Sequence, residues 1–194
     1  LRKFYNLADY LTINISSPNT ENLRSFHNED ELNELLNLIE KEKKILKTTV
    51  PITVKISPDI EDQNINIISD LILKHNVEAL IVSNTTDKNR ENLSNINKLE
   101  KGGLSGKPLE KRSNELINKF YKILKNKVKI IGVGGVDSGQ SAYKKIISGA
   151  SLIQLYTGMI YQGPNIASKI SEELINILDK EGVKNISDIV GSKN

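Results

Sequence analysis

Hydrophobic and polar positions repeat along this chain with two different periods. Residues 11–15 alternate between apolar and polar side chains, a period of two that predicts a β-strand. Pro18 follows and lacks an N–H group, so we expect the hydrogen-bond ladder of that strand to stop there. Residues 28–47 place leucine and isoleucine at i, i+3, i+4 and i+7, which predicts an amphipathic helix.

The two periods keep alternating to the end of the chain. Strict alternation of strands and helices indicates a parallel sheet whose strands are joined by crossover helices. Residues 1–5 resemble the end of a helix without its cap, so we expect the chain to begin inside a larger fold. Further strands are predicted at 52–57, 79–83, 128–133 and 151–156, further helices at 61–75, 111–124, 138–149 and 164–180, and a long polar loop at 87–107.

Five such β/α units fit two architectures. A closed β/α barrel needs eight units, whereas an open doubly wound sheet can close with five. Polar residues or glycines follow every predicted strand, and contributions from every strand suit a barrel mouth better than a single switch point. These residues are Asn14 and Ser17, Lys55, Ser83 with Asn84 and Thr85, Gly134 with Gly135, and Tyr156 with Thr157.

Composition narrows the function classes. The chain has 194 residues, 38% hydrophobic and 26% charged, which indicates one globular domain over residues 1–194. A net charge of +3 spread along the helices gives no footprint for nucleic acid. Without cysteine, and with two histidines, we expect no disulfide, no cysteine nucleophile and no metal site. No apolar run reaches 18 residues, so no membrane span is expected.

Two turns have the composition of a phosphate site. Gly134 and Gly135 precede a helix that Ser138 is placed to cap, and the last strand turns through Thr157 and Gly158. Glycines let the backbone approach a ligand, and N–H groups at turns and helix starts bind anions. Each turn taken alone could equally be a tight connection, and the presence of two favours the phosphate hypothesis.

Lys55 and Ser17 are ambiguous by position. Lys55 lies within an apolar strand, where it could extend along the surface to reach water or point into the barrel mouth toward an electron-rich ring or an anion. Ser17 could be an ordinary turn residue or a proton acceptor. No histidine is near it in sequence, so a serine–histidine–aspartate triad has little support.

Six segments together resemble the consecutive motifs of the dihydroorotate dehydrogenase family. The resemblance extends from about residue 8 to the end of the chain, and Ser17 resembles the quinone-dependent, membrane-associated class 2, since class 1 has cysteine there. The segments are Asn-Ile-Ser-Ser-Pro-Asn-Thr at 14–20, Val-Lys-Ile-Ser-Pro-Asp at 54–59, Ser-Asn-Thr-Thr at 83–86, Gly-Gly-Leu-Ser-Gly-Lys-Pro-Leu at 102–109, Gly-Val-Gly-Gly-Val at 132–136 and Gln-Leu-Tyr-Thr-Gly at 154–158.

The resemblance implies an FMN-containing parallel β/α (TIM) barrel that oxidises dihydroorotate to orotate in pyrimidine biosynthesis. It implies that Ser17 accepts a proton from the substrate, that the flavin accepts a hydride, and that a quinone is the final electron acceptor. By matching position, the FMN contacts would be Asn14, Lys55, Ser83, Gly106, Gly135, Tyr156 and Thr157. The substrate contacts would be Asn14, Asn19, Asn84 and Thr85.

The resemblance covers only the C-terminal five β/α units of eight. The family's N-terminal strands and the helices that admit the quinone are not in this sequence, so we expect them to come in cis or from another chain. Without them we expect a poorly stable or inactive half-barrel with two open sheet edges. The class implies a peripheral location on the bacterial cytoplasmic membrane or the mitochondrial inner membrane.

Three other functions remain open from the sequence. The chain could be a non-catalytic barrel fragment that binds no flavin. It could belong to another FMN barrel that acts on a different dihydropyrimidine, although Ser17 argues against this. A phosphosugar isomerase or synthase barrel would share the phosphate turns but would not need the polar cluster of Asn14, Ser17 and Asn19.

Overall fold

A computed structural model describes residues 1–88, 90–91 and 93–193. Five parallel strands form one sheet, and helices connect them. The strands are β1 (Leu11–Asn14), β2 (Ile52–Ile56), β3 (Ala79–Val82), β4 (Lys129–Val133) and β5 (Leu152–Gln154). The helices are α1 (Glu29–Leu46), α2 (Asp62–Lys74), α3 (Glu110–Leu124), α4 (Gly139–Ser148), α5 (Thr157–Gln162) and α6 (Ile166–Lys180).

The order of strands in the sheet decides between the two architectures left open by the sequence. Neighbours in the sheet follow chain order, β1-β2-β3-β4-β5, with every pair parallel. A doubly wound sheet reverses its strand order at a switch point, whereas consecutive β/α units of a barrel do not. The arrangement is therefore that of successive barrel units, as the sequence pattern favoured.

The two faces of the sheet pack differently. The outer face packs against α1, α2 and α3 through a large core that includes Val54, Leu80 and Phe120. The inner face holds a smaller cluster around Ile81 and Ile131. On the same inner face, the side chain of Leu152 at the edge strand β5 is 58% exposed. The two edge strands, β1 and β5, each have a strand partner on one side only among the described residues.

Three local predictions need correction. Strand β1 ends at Asn14, although the Ile15 N–H still donates to the Lys55 carbonyl at 3.3 Å. The Asn14 side chain then accepts hydrogen bonds from the backbone and hydroxyl of Ser16, so the chain leaves the sheet before Pro18. Residues 1–7 form turns rather than the end of a helix. The short helix α5 was not predicted, since six residues are too few to show a helical period.

The long connection at 87–107 is a loop, as predicted. It contains a short 3-10 helix, Ile96–Leu99, and returns to the sheet through a bridge between Leu104 and Thr86. Asn89 and Asn92 of this loop lie outside the described residues. Of the helices that the structure describes, none is both long and apolar enough to cross a membrane.

Candidate active site

A cleft of about 740 Å³ opens at the carboxyl ends of the strands. This is the edge of a parallel α/β sheet where ligands bind, because the connecting loops meet there. The structure brings eight of the predicted site residues into its lining: Lys55, Ser83, Asn84, Thr85, Gly106, Gly135, Tyr156 and Thr157. Ser105 and Asp137, which the sequence did not single out, line it as well.

The turn after β4 brings backbone to the cleft wall. Gly134 and Gly135 have φ values of +112° and +76°, a region that residues with a Cβ rarely adopt. Both glycines line the cleft, so their backbone stands at its wall. Backbone N–H groups at a glycine turn are suitable donors for an anionic oxygen.

The start of α4 is closed to a ligand. Ser138 caps it as predicted, in a reciprocal capping box with Ser141. The backbone N–H of Gly139 donates to the Glu173 carboxylate at 2.6 Å. Protein groups therefore accept hydrogen bonds from most backbone N–H groups of the first turn. An anion would have to bind at the glycine turn and the segment after β5.

The segment after β5 lies close to the loop that follows β3. The Thr157 hydroxyl donates to Ser105 Oγ at 2.8 Å. A Cβ built on Gly106 would stand 2.8 Å from Thr157 Cγ2, so only glycine fits that approach without displacement. These contacts bring predicted FMN residues from two distant parts of the chain to one side of the cleft.

Lys55 projects from β2 toward the cleft. Its neighbours in the sheet are Asn14 on β1 and Ile81 on β3. The side chain is partly buried, and this burial lowers the pKa of its amine below the ordinary lysine value. The sequence left two orientations open, along the surface or into the barrel mouth, and the side chain points into the mouth.

An amide cluster stands beside Lys55. The Asn84 amide donates to Ser16 Oγ at 3.0 Å and to Asn14 Oδ1 at 3.3 Å. Asn84 Oδ1 accepts from the backbone N–H of Thr85 at 2.8 Å. Asn14 is not in the cleft lining itself, but these bonds connect it to the lining residues. The buried Ser16, which we did not predict, joins the two amides.

Ser17 and Asn19 lie outside the cleft lining. Ser17 Oγ accepts a hydrogen bond from the backbone N–H of Asn19 at 3.2 Å, the pattern of a serine turn. A Cβ on Gly103 would stand 3.2 Å from Pro18 Cγ and would overlap the Thr85 hydroxyl, so this loop borders the cleft at Thr85. Asn19 faces a neighbouring depression formed with the 87–107 loop.

Ion pairs tie the loop carrying Ser17 to the next two loops. Arg24 contacts Asp59 at 3.2 Å and Asp87 at 3.1 Å. His27 accepts a hydrogen bond on Nε2 from the backbone N–H of Ser57 at 3.2 Å, which places its ring proton on Nδ1, 2.8 Å from the Arg24 carbonyl. Three loops are thereby held in one arrangement at the cleft.

A buried lysine below the cleft was also missed. Lys145 is fully buried and donates to Ser113 and Asn114. A signal existed in the sequence, because Lys145 shares the buried face of its helix with Ala142 and Ile146 at helical spacing. Its burial depends on α3 packing against α4, which periodicity within one helix does not describe.

Comparison with known proteins identifies relatives of this chain. The profile of the family described as Dihydroorotate dehydrogenase matches residues 1–178. A Trichodesmium erythraeum protein named dihydroorotate dehydrogenase (quinone) is 44% identical over 203 residues, covering 100% of this chain and 52% of that protein. The same name belongs to a Bartonella tribocorum protein that is 44% identical over 190 residues, covering 95% and 52%.

Solved structures give the same grouping. The DHODH of Eimeria tenella in complex with ferulenol superposes with a TM-score of 0.92 at 38% identity, covering 96% of this chain and 54% of that one. Its ligand-free form gives a TM-score of 0.92 at 37% identity, with coverage of 96% and 56%. The chain spans about half the length of the relatives and structures that it matches.

Proposed function

The chain belongs to the dihydroorotate dehydrogenase family, and we propose that it forms part of an enzyme oxidising dihydroorotate to orotate in pyrimidine biosynthesis. Membership implies an oxidoreductase with a flavin cofactor. We propose that the flavin is FMN. Following the name of the relatives, we assign the final electron acceptor as a quinone. The remaining barrel strands would come in cis or from another chain.

One observation carries the proposal. The cleft at the carboxyl ends collects Lys55, Asn84, Gly135 and Thr157 from the ends of four different strands. A phosphate turn alone would fit many barrels. A lysine, an amide cluster and a phosphate turn in one cleft fit an anionic, flat cofactor together with a polar ring substrate.

The cofactor fits the groups on the cleft wall. The backbone N–H groups of the glycine turn at Gly134 and Gly135 are suited to phosphate oxygens. When bound, FMN supplies the hydride acceptor. The positive charge of Lys55 favours electron density on a ring lying beside it. We propose that the FMN is held by Asn14, Lys55, Ser83, Gly106, Gly135, Tyr156 and Thr157.

The polar groups beside Lys55 are suited to the substrate. Asparagine amides both donate and accept, so Asn14 and Asn84, with Thr85, can satisfy the mixed donors and acceptors of an orotate ring without adding charge. We propose that Asn19, which lines the neighbouring depression, also contacts the substrate. We propose that Ser17 accepts a proton from a substrate carbon. Its side chain is partly exposed, so water can receive the hydroxyl's own proton.

The quinone assignment brings a membrane surface into the proposal. A quinone dissolves in the hydrocarbon of a bilayer, so an enzyme that reduces it has to reach the membrane. We propose a peripheral location on a bacterial cytoplasmic or mitochondrial inner membrane, with contact made by the part of the enzyme outside this chain.

Replacing Ser17 with alanine in the full-length natural protein tests the catalytic assignment. We expect bound flavin to be retained and dihydroorotate turnover to fall by at least about 100-fold, the usual contribution of a positioned general base. Ser25→Ala is the matched control, since Ser25 is a partly buried serine of the same connection, and its hydroxyl donates to the Asn22 carbonyl. Its turnover should be unchanged.

The other outcomes separate the alternatives. Unchanged turnover in Ser17→Ala contradicts the role of Ser17 as the base. Absence of flavin from the natural protein would support the non-catalytic fragment. Oxidation of dihydrouracil in preference to dihydroorotate would support a flavin barrel for a different dihydropyrimidine.

A further inference from the structure

A buried polar network lies beneath the glycine turn. The side chain of Lys145 on α4 is 0% exposed. Its Nζ donates to Ser113 Oγ and to Asn114 Oδ1, each at 2.9 Å. No salt bridge among the described residues includes Lys145. Glu110 is the carboxylate whose charge acts on it, and this carboxylate is paired instead with lysines on the surface.

The network continues to the end of β4. Ser113 Oγ donates to the Val133 carbonyl at 2.6 Å and also lies 3.3 Å from the Val82 carbonyl. Val133 directly precedes the glycine turn. A Cβ built on Gly134 would stand 3.7 Å from Ser113 Oγ, so the serine fills the space under the turn. Two hydrogen bonds therefore connect the lysine amine to the last residue before the turn.

A lysine is a costly choice for this position. Burial lowers the pKa of Lys145 to about 7, against a smaller opposing effect of Glu110, because the charged amine loses its water. A methionine would fill similar space without that cost. The lysine contributes donors, and even the neutral amine keeps two N–H groups, enough for Ser113 and Asn114 in either protonation state.

We propose that Lys145 is a positioning residue for the phosphate-binding turn. Through Ser113 it holds the Val133 carbonyl, and thereby sets where the N–H groups of Gly134 and Gly135 point. It does not touch the cofactor itself. This inference rests on the proposed flavin function, since the turn is argued to receive the phosphate of FMN.

The distinguishing test compares FMN with riboflavin, which lacks the phosphate. Affinities are measured by fluorescence titration of the flavin-depleted full-length protein. We expect Lys145→Met and Ser113→Ala each to weaken FMN about tenfold, the loss typical of a buried hydrogen bond, and to change riboflavin affinity less than about twofold. Because both residues act through the same chain of hydrogen bonds, the double variant should bind FMN no more weakly than the single variant with the lower FMN affinity.

Ser69→Ala is the matched control for Ser113→Ala. Ser69 is a fully buried serine that donates to the Ile65 carbonyl at 2.7 Å within α2, away from the cleft. We expect it to lower stability and leave both flavin affinities unchanged. If Lys145→Met does not fold, Ser113→Ala, which removes one oxygen, carries the test alone.

Two results would overturn the inference. Equal losses for FMN and riboflavin would mean that Lys145 supports only the general fold, and unchanged FMN affinity in both variants would mean that the network does not act on the turn. A wild-type protein that binds neither flavin would overturn the proposed function itself. The wild-type titration therefore separates failure of the function from failure of this inference.

Discussion

Gly135 provides the sharpest test of the cleft geometry. Its φ is +76°, and an added Cβ would stand 2.8 Å from Glu110 Cα and 2.9 Å from Glu110 N. Those atoms are backbone at the first turn of α3, which cannot move aside as a flexible side chain could. In Gly135→Ala the turn after β4 must therefore shift away from α3.

A second glycine separates the cost of the steric overlap from the cost of the left-handed backbone conformation. Gly182 has a φ of +67°, and a Cβ there would meet nothing within 4 Å. Gly182→Ala therefore costs only the left-handed strain, roughly 1–2 kcal/mol in the free energy of unfolding. Gly135→Ala carries the same strain plus relief of the overlap, roughly 3–4 kcal/mol altogether, which places it among the large effects of single substitutions.

Urea unfolding and FMN titration of the full-length natural protein measure both effects. We expect Gly135→Ala to be the less stable variant and to bind FMN at least about tenfold more weakly, because displaced N–H groups no longer meet the phosphate. Gly182→Ala should keep wild-type FMN affinity. If Gly135→Ala matches Gly182→Ala in stability and binds FMN normally, the close approach of the turn to α3 is wrong.

Three further predictions concern loops and core. Burial lowers the pKa of His27, and protonation would remove the Nε2 acceptor for Ser57. The stabilising contribution of His27 should therefore be present at neutral pH and be lost as the pH falls below about 6.5, and in urea unfolding His27→Gln should show a smaller loss of stability in acid. Phe120→Ala should lower the unfolding free energy by about 3–5 kcal/mol, since the ring is fully buried, and a loss under about 1 kcal/mol would contradict this packing. Arg90 donates to three backbone carbonyls further along its loop, so Arg90→Met should speed limited proteolysis between residues 90 and 102 without changing the melting temperature by more than about 2 °C.

The elements and their ends were determined by the sequence alone to a large extent. Apolar periodicity located five strands and the main helices, and hydroxyl chemistry at Ser138 located the start of α4. These signals are local, because a cap or a helical face is complete within a few residues. The carboxyl-end position of Lys55, Gly135 and Thr157 also followed from local order, since parallel strands bring their ends to one edge.

Only the tertiary structure decided which distant groups meet. The sheet order β1 to β5, the contact of Asn84 with Asn14 and Ser16, and the position of Asn19 outside the cleft all depend on register between segments far apart in sequence. The burial of Lys145 depends on α3 and α4 packing together. Such contacts form when whole faces of the sheet and helices pack together. A local pattern of residues does not contain that information.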